Sequence, residues 1–105
     1  MDKIPNKIKE IIDRYISQLR ENNISIENAY LFGSYAKGKN RKWSDIDIAI
    51  VSNSFEGNRI KDKDKIRRIT LSVSSSLEIL PFNPSDFSLE NTLAKEIMET
   101  GIRLV

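Results

Sequence analysis

Two aspartates separated by a single residue are the most chemically suggestive feature of the sequence. Asp45 and Asp47 stand at the start of an apolar run that continues to Val51. Alternate residues of a β-strand share one face, so the two carboxylates would lie on the same face with their Cα atoms about 6.5 Å apart. At that spacing both carboxylates can reach one Mg²⁺, whose oxygen ligands lie at about 2.0 to 2.1 Å. The pair therefore predicts a divalent metal site.

Ten residues separate a glycine-serine pair from the first of these aspartates. Gly33-Ser34 follows an apolar segment that ends at Phe32, where we expect a strand to give way to a helical turn. Free backbone N–H groups, a hydroxyl and the start of a helical turn can hold phosphate oxygens. The following loop adds positive charge through Lys37, Lys39, Arg41 and Lys42. This order of groups indicates a site for a polyanion such as a triphosphate.

The composition restricts the available chemistry. The 105 residues include no cysteine and no histidine, which excludes disulfides, thiolate nucleophiles, imidazole bases and Cys/His zinc sites. A net charge of +2 is too small to argue for direct nucleic-acid binding by bulk electrostatics. No segment approaches the ~18 apolar residues of a membrane span, and residues 1–6 lack an apolar leader. We expect a cytoplasmic protein that works with carboxylates, hydroxyls, amines and metal ions.

Hydrophobic periodicity predicts the elements that position these groups. The predicted helices cover 4–21, 59–73 and 89 or 91 to 100, the strands cover 24–32, 45–51 and 77–82, and an extended tail covers 102–105. In the third helix Leu93, Ile97 and Met98 are expected to face inward, and Gly101 is expected to be the C-cap. Pro81 and Pro84 predict that the strand at 77–82 lies at a sheet edge or stops early. We expect a single domain over 1–105 of the α+β class, a small mixed β-sheet flanked by helices.

The segment from Gly33 to Asp47 resembles the G-S-x₁₀-D-x-D signature of the DNA polymerase β-type nucleotidyltransferase superfamily. It is similar above all to the minimal nucleotidyltransferase branch, whose members share this chain length and an ending like Gly101-Ile102. The resemblance implies a polymerase β-like nucleotidyltransferase fold. It also implies transfer of a nucleoside monophosphate from a triphosphate, which we expect to be ATP, to a hydroxyl with the help of two Mg²⁺ ions. The nucleotide-binding residues that it implies are Gly33, Ser34, Lys37 and Ser44.

The family pattern requires a third carboxylate on a later strand, and this chain offers Glu78 and Asp86. Within the predicted strand 77–82, the flanking apolar residues share one face and Glu78 takes the other, so a neighbouring strand could aim it at the two aspartates. Asp86 follows a proline and a serine, where a turn or cap role fits better. By analogy Asp45 and Asp47 bind both ions, while Glu78 completes the coordination of one and directs the proton of the attacking hydroxyl.

The acceptor must be held outside a domain of this length. Proteins of the branch often pair with HEPN-domain toxins and place AMP on them as antitoxins, so a HEPN-type partner is expected by analogy alone. One alternative is a catalytically inactive antitoxin module that neutralises its partner by covering its surface. Another is nucleotidyl transfer to a small molecule such as an antibiotic. Each site residue also has a structural interpretation, as a turn glycine, a cap or a surface charge.

Overall fold

The computed structural model describes residues 4–40 and 44–105. In these ranges the chain forms α1 (Asn6–Glu21), β1 (Asn28–Phe32), β2 (Ile46–Val51), α2 (Arg59–Val73), β3 (Leu77–Phe82), α3 (Thr92–Thr100) and β4 (Ile102–Arg103). The strands form a four-stranded sheet in the order β3-β2-β1-β4. β2 is antiparallel to β1 and parallel to β3, and β4 is antiparallel to β1. The mixed sheet with three helices confirms the predicted α+β class, and β3 lies at an edge as its proline indicates.

The helices cover both faces of the sheet. On one face, Ile46, Ile48 and Ile50 of β2 are at most 1% exposed and belong to the larger core, which also includes the apolar faces of α1 and α2. On the other face, Ala49 and Val51 pack in a smaller core with α3. Asp47 shares this second face because residues alternate along a strand. The alternation of side chains along β2 therefore places its isoleucines in the larger core and Asp47 on the opposite face of the sheet.

The end of α1 explains why β1 is shorter than predicted. Asn23 adopts φ +64°, Ile24 donates its N–H to the Leu19 carbonyl at 2.9 Å, and Asn23 donates to the Arg20 carbonyl at 3.1 Å. This is the hydrogen-bond pattern of a Schellman motif, in which a left-handed residue closes a helix. Ile24 is therefore part of the helix terminus, and the strand predicted from residue 24 begins at Asn28. The predicted end of the helix at residues 22 and 23 is confirmed.

The third helix starts at its cap and not in the preceding loop. The Asn91 side chain accepts a hydrogen bond from the Ala94 N–H at 3.1 Å, which fixes the first helical residue as Thr92. Ala94 is fully buried, whereas Leu93 is 38% exposed, so the prediction that Leu93 faces inward is wrong. Gly101 is the C-cap as predicted. None of the helices in the described ranges is long and apolar enough to cross a membrane.

Candidate active site

The register of the parallel strands brings two acidic residues side by side. Asp47 of β2 is paired with Glu78 of β3, so the two side chains leave the sheet on the same face. Asp45 lies two residues before Asp47, immediately before β2 begins, and is exposed. On the other side of β2, Asp47 is paired with Phe32 at the end of β1. Asp47 thus stands between Glu78 on one neighbouring strand and the last residue of β1 on the other.

Gly33 follows Phe32 and is fixed by its contact with Asp47. Its φ of +74° lies in the left-handed region, which favours glycine. A Cβ atom built on Gly33 would overlap Oδ2 of Asp47. The glycine is therefore required twice, once by its backbone angle and once by the carboxylate that lies against it.

The chain after Gly33 makes one helical turn, as predicted. Lys37 donates its N–H to the Gly33 carbonyl at 3.2 Å, and Lys39 donates to the Ser34 carbonyl at 2.9 Å. Gly38, with φ +69°, closes the turn and donates to the Tyr35 carbonyl at 3.4 Å, again in the Schellman pattern. The turn leaves the Lys37 and Lys39 side chains exposed and holds Ser34 half-buried.

Of the remaining residues of the predicted anion site, some lie within the described ranges and some do not. Ser44 is half-buried and lies next to Asp45 at the start of β2. Arg41, Lys42 and Trp43 lie outside the described residues. The structure therefore brings Gly33 and Asp47 into contact and places Ser34 and Ser44 in the segments that flank them.

Electrostatics link the three carboxylates. Burial raises the pKa of Asp47, and the negative charges of Asp45 and then Glu78 raise it further. A like charge nearby disfavours ionisation of a carboxyl group, so part of this shift comes from the repulsion that Asp45 and Glu78 exert on Asp47. A cation placed among them would relieve that repulsion.

Glu78 has a cationic partner of its own. Nζ of Lys63 on α2 lies 3.0 Å from Oε2 of Glu78, and both side chains are about half-exposed, at 42% and 54%. Among residues 4–40 and 44–105, no three acidic side chains are gathered closely enough to hold one metal ion. The donor set still fits Mg²⁺, because carboxylate oxygens are its preferred protein ligands and the register already aligns Asp47 with Glu78.

The other candidate for the third carboxylate lies at the opposite end of β3. Asp86 follows the strand, is exposed, and donates its N–H to the Asn83 carbonyl at 3.0 Å. Its carboxylate lies against Gly57, where an added Cβ would come within 3.0 Å of Oδ2. The strand pairing thus places Glu78, and not Asp86, next to Asp47.

A groove of about 160 Å³ runs between α2 and the edge strand β3, beside Glu78. Its apolar wall is formed by Ile66, Leu77 and Ile79, and its rim carries Lys63, Arg67 and Glu78. An apolar cleft with few polar groups is the usual form of a ligand site. The groove lies along the α2 side of β3, because Leu77 and Ile79, which line it, alternate with Glu78 along the strand.

Two residues of this region were not expected from the sequence. Lys63 is one of several bases of α2, and its contact with Glu78 depends on how α2 packs against β3. Asp62 is 1% exposed, and its carboxylate accepts the N–H groups of Glu56 at 2.8 Å and Gly57 at 2.9 Å. An acid five residues after a loop glycine is the signal that could have indicated this loop-fixing role.

Comparison with known proteins identifies the family. Residues 6–105 match the model of the family described as polymerase beta, nucleotidyltransferase. The chain belongs to this family. Within it the chain is of the minimal nucleotidyltransferase type that its glycine-serine and aspartate spacing indicated.

One curated relative of this nucleotidyltransferase-family chain is MJ1215 of Methanocaldococcus jannaschii, which is provisionally named a protein adenylyltransferase. The two are 40% identical over 45 residues, which are 43% of this chain and 51% of the relative. The matched segment thus spans about half the length of that relative.

Solved structures confirm the predicted fold. A crystal structure of a toxin-antitoxin with AMP-PNP superposes with a TM-score of 0.64 and 25% identity, over 89% of this chain and 71% of that one. A nucleotidyltransferase-like protein from Sulfolobus solfataricus gives a TM-score of 0.60 at 21% identity, over 91% and 74% of the two chains. A toxin-antitoxin MntA-HpeT variant with two aspartates replaced by glutamates gives 0.60 at 23% identity, over 100% and 73%.

Proposed function

We propose that this protein is a Mg²⁺-dependent nucleotidyltransferase that transfers AMP from ATP to a hydroxyl of a partner toxin, and so acts as an antitoxin. The observation that carries the proposal is the strand register that pairs Asp47 with Glu78 at the start of β2, next to Asp45 and against the Gly33 turn. Support comes from a relative provisionally named a protein adenylyltransferase and from a toxin-antitoxin neighbour whose structure was obtained with AMP-PNP. A reaction that consumes ATP also favours a cytoplasmic location.

In the proposed reaction the carboxylates of Asp45, Asp47 and Glu78 hold two Mg²⁺ ions. When bound, such ions lower the pKa of the attacking hydroxyl and stabilise the leaving group. The acceptor oxygen forms a bond to the α-phosphorus while the bond from that phosphorus to the bridging oxygen breaks, and pyrophosphate leaves. Glu78, which the strand register sets beside Asp47, receives the proton of the acceptor hydroxyl.

The glycine-serine turn would hold the triphosphate. Gly33 lets the backbone approach Asp47 without a side chain in between, so phosphate oxygens can lie next to the carboxylates. Ser34 and Ser44 offer hydroxyl groups from the two flanking segments, and the exposed ammonium of Lys37 offers positive charge. These four residues are proposed to orient the nucleotide.

The proposed acceptor is a HEPN-type toxin protein. The reaction is tested by incubating the full chain with Mg²⁺, ATP labelled at the α-phosphate, and the product of the neighbouring gene. Label is expected on the partner with the unaltered chain and with the control Asp64→Asn, whose carboxylate is exposed on α2. Asp45→Asn combined with Asp47→Asn is expected to abolish transfer.

The same variants separate catalysis from covering of the partner surface. The pairing of Glu78 with Lys63 is the observation that favours an inactive binding module, because it engages the third carboxylate. If the double variant still forms the complex but no longer neutralises the toxin, catalysis explains the antitoxin effect. If neutralisation persists without transfer, the enzymatic proposal is wrong.

A further inference from the structure

The ammonium of Lys63 stands where a cation would contact Glu78. Lys63 lies on α2, which packs against the face of the sheet opposite to the Asp47 face, and it reaches Glu78 because β3 is an edge strand. Its Nζ lies 3.0 Å from Oε2 of Glu78. The Glu78 carboxylate could ligate a metal ion through either of its oxygens, and Oε2 is one of them. The ammonium and a divalent ion therefore compete for this oxygen.

Two neighbouring bases of α2 have other partners, and a third is exposed. Lys65 donates to the Ser54 carbonyl at 2.7 Å, and Arg67 lies 3.8 Å from Asp64. Lys61 is exposed on the first turn of the helix. Among the salt bridges within the described ranges, the pair formed by Lys63 is the one that involves a carboxylate of the candidate site. The contact therefore follows from the position of Lys63 and not from the basic character of the helix.

The pair is suited to displacement. Both partners are about half-exposed, and exposed ion pairs contribute little to stability. A divalent ion bound by Asp45 and Asp47 would present twice the charge of the ammonium to the same carboxylate. Turning Glu78 from Lys63 to that ion would then gather the three acids, which are not gathered as the side chains stand.

We infer that Lys63 is a resident counter-ion of Glu78 that a divalent ion bound by Asp45 and Asp47 must displace before Glu78 can join its ligands, so that Lys63 sets the cation concentration at which the complete site assembles. This inference rests on the proposed function. Removal of the ammonium is expected to tighten divalent-ion binding about two- to five-fold, the effect of losing one exposed ion pair.

The inference is tested by titrating Mn²⁺ into the full chain in a calorimeter at neutral pH and fixed ionic strength. Lys63→Met keeps the apolar stem and removes the charge, and it is expected to bind Mn²⁺ more tightly than the unaltered chain. Lys63→Arg keeps the charge and is expected to bind as the unaltered chain does. Lys61→Met is the matched control, since it removes the same charge from the same helix and is expected to leave the affinity unchanged.

A direct readout of displacement is the side-chain nitrogen resonance of Lys63 in NMR spectra. Its ammonium signal is expected to shift on addition of Mg²⁺ to the unaltered chain and to stay in place in the Asp45→Asn, Asp47→Asn variant. Equal or weaker Mn²⁺ binding by Lys63→Met, with normal binding by the unaltered chain, would overturn the inference and leave the proposed function standing. Absence of Mn²⁺ binding in every variant would overturn both.

Discussion

Two glycines of the turn after β1 have nearly the same backbone angle but different surroundings. Gly33 has φ +74° and Gly38 has φ +69°. An added Cβ at Gly33 would overlap the Asp47 carboxylate, whereas nothing lies within 4 Å of the position at Gly38. The glycine of the sequence signature is thus tied to the acid that follows it fourteen residues later, while Gly38 serves only the turn.

Alanine at these positions should separate backbone strain from displacement of the carboxylate. Both Gly33→Ala and Gly38→Ala are expected to lower the free energy of unfolding by about 1 to 2 kcal/mol, the cost of a left-handed non-glycine residue. Only Gly33→Ala should also weaken Mn²⁺ binding, because it forces Asp47 to move. Urea denaturation and Mn²⁺ titration measure the two effects, and similar Mn²⁺ affinities in the two variants would contradict the assignment.

At the residue scale, the sequence predicts features that depend on local spacing. Asp45 and Asp47 are expected to share a face because alternate residues of a strand point to the same side, and this prediction needs no information on tertiary structure. The contact between Lys63 and Glu78 spans 15 residues and arises from the docking of α2 beside an edge strand, which no local pattern encodes. The roles of these residues in catalysis remain predictions.

At the element scale, periodicity located most helices and strands to within two residues. α2 and β3 occupy the predicted ranges 59–73 and 77–82, and the start of α2 is fixed by the Asn58 side chain, which accepts a hydrogen bond from the Lys61 N–H at 3.1 Å. The predicted strand from residue 24 was too long since Asn23 adopts a left-handed conformation that carries Ile24 into the helix terminus. Left-handed asparagine looks the same as any loop asparagine in a sequence.

The loop between β2 and α2 depends on one buried acid. Asp62 is 1% exposed, and its two oxygens accept the N–H groups of Glu56 and Gly57. Asp62→Ala would leave both N–H groups without this acceptor, and we expect a loss of about 2 to 3 kcal/mol in the free energy of unfolding. The matched control Asp64→Ala removes an exposed acid two residues later and should change stability by no more than about 0.5 kcal/mol. Urea denaturation of both variants is the measurement, and equal losses would show that the loop contacts contribute nothing specific.

At the scale of the whole molecule, the strand order assembles the candidate site. α2 connects β2 to the parallel β3, and this pairing sets Asp47 beside Glu78 although 31 positions separate them in the sequence. The sequence predicts each strand but not which strands are neighbours, because sheet order depends on the packing of all the helices together. The resemblance to a known family supplied the third carboxylate that periodicity alone could not.

Burial of Asp47 near the like charges of Asp45 and Glu78 should cost the ion-free molecule stability. Burial, and then the charges of Asp45 and Glu78, raise the pKa of Asp47. A carboxyl group whose pKa is raised by folding contributes stability that is fully present below its unfolded pKa of about 3.9 and is lost as the pH rises through the folded pKa. At neutral pH the ionised Asp47 therefore destabilises the fold.

The effect of replacing Asp47 by asparagine on the stability of the protein should reverse when ligand is present. Without ligand, Asp47→Asn is expected to melt at a higher temperature than the unaltered chain at neutral pH, and the difference should vanish near about pH 3, where both carry a neutral group. With Mg²⁺ and a non-hydrolysable ATP analogue at ~100 times the Kd, the unaltered chain should gain about 2.7 kcal/mol while the variant gains far less, so that the order of melting temperatures inverts. Glu10→Gln, which neutralises an exposed acid on α1, should follow the unaltered chain in all conditions. The measurement is the melting temperature by calorimetry. If the Asp47→Asn variant melts below the unaltered chain without ligand, Asp47 stabilises the fold, and its charge is not a cost that ligand binding offsets.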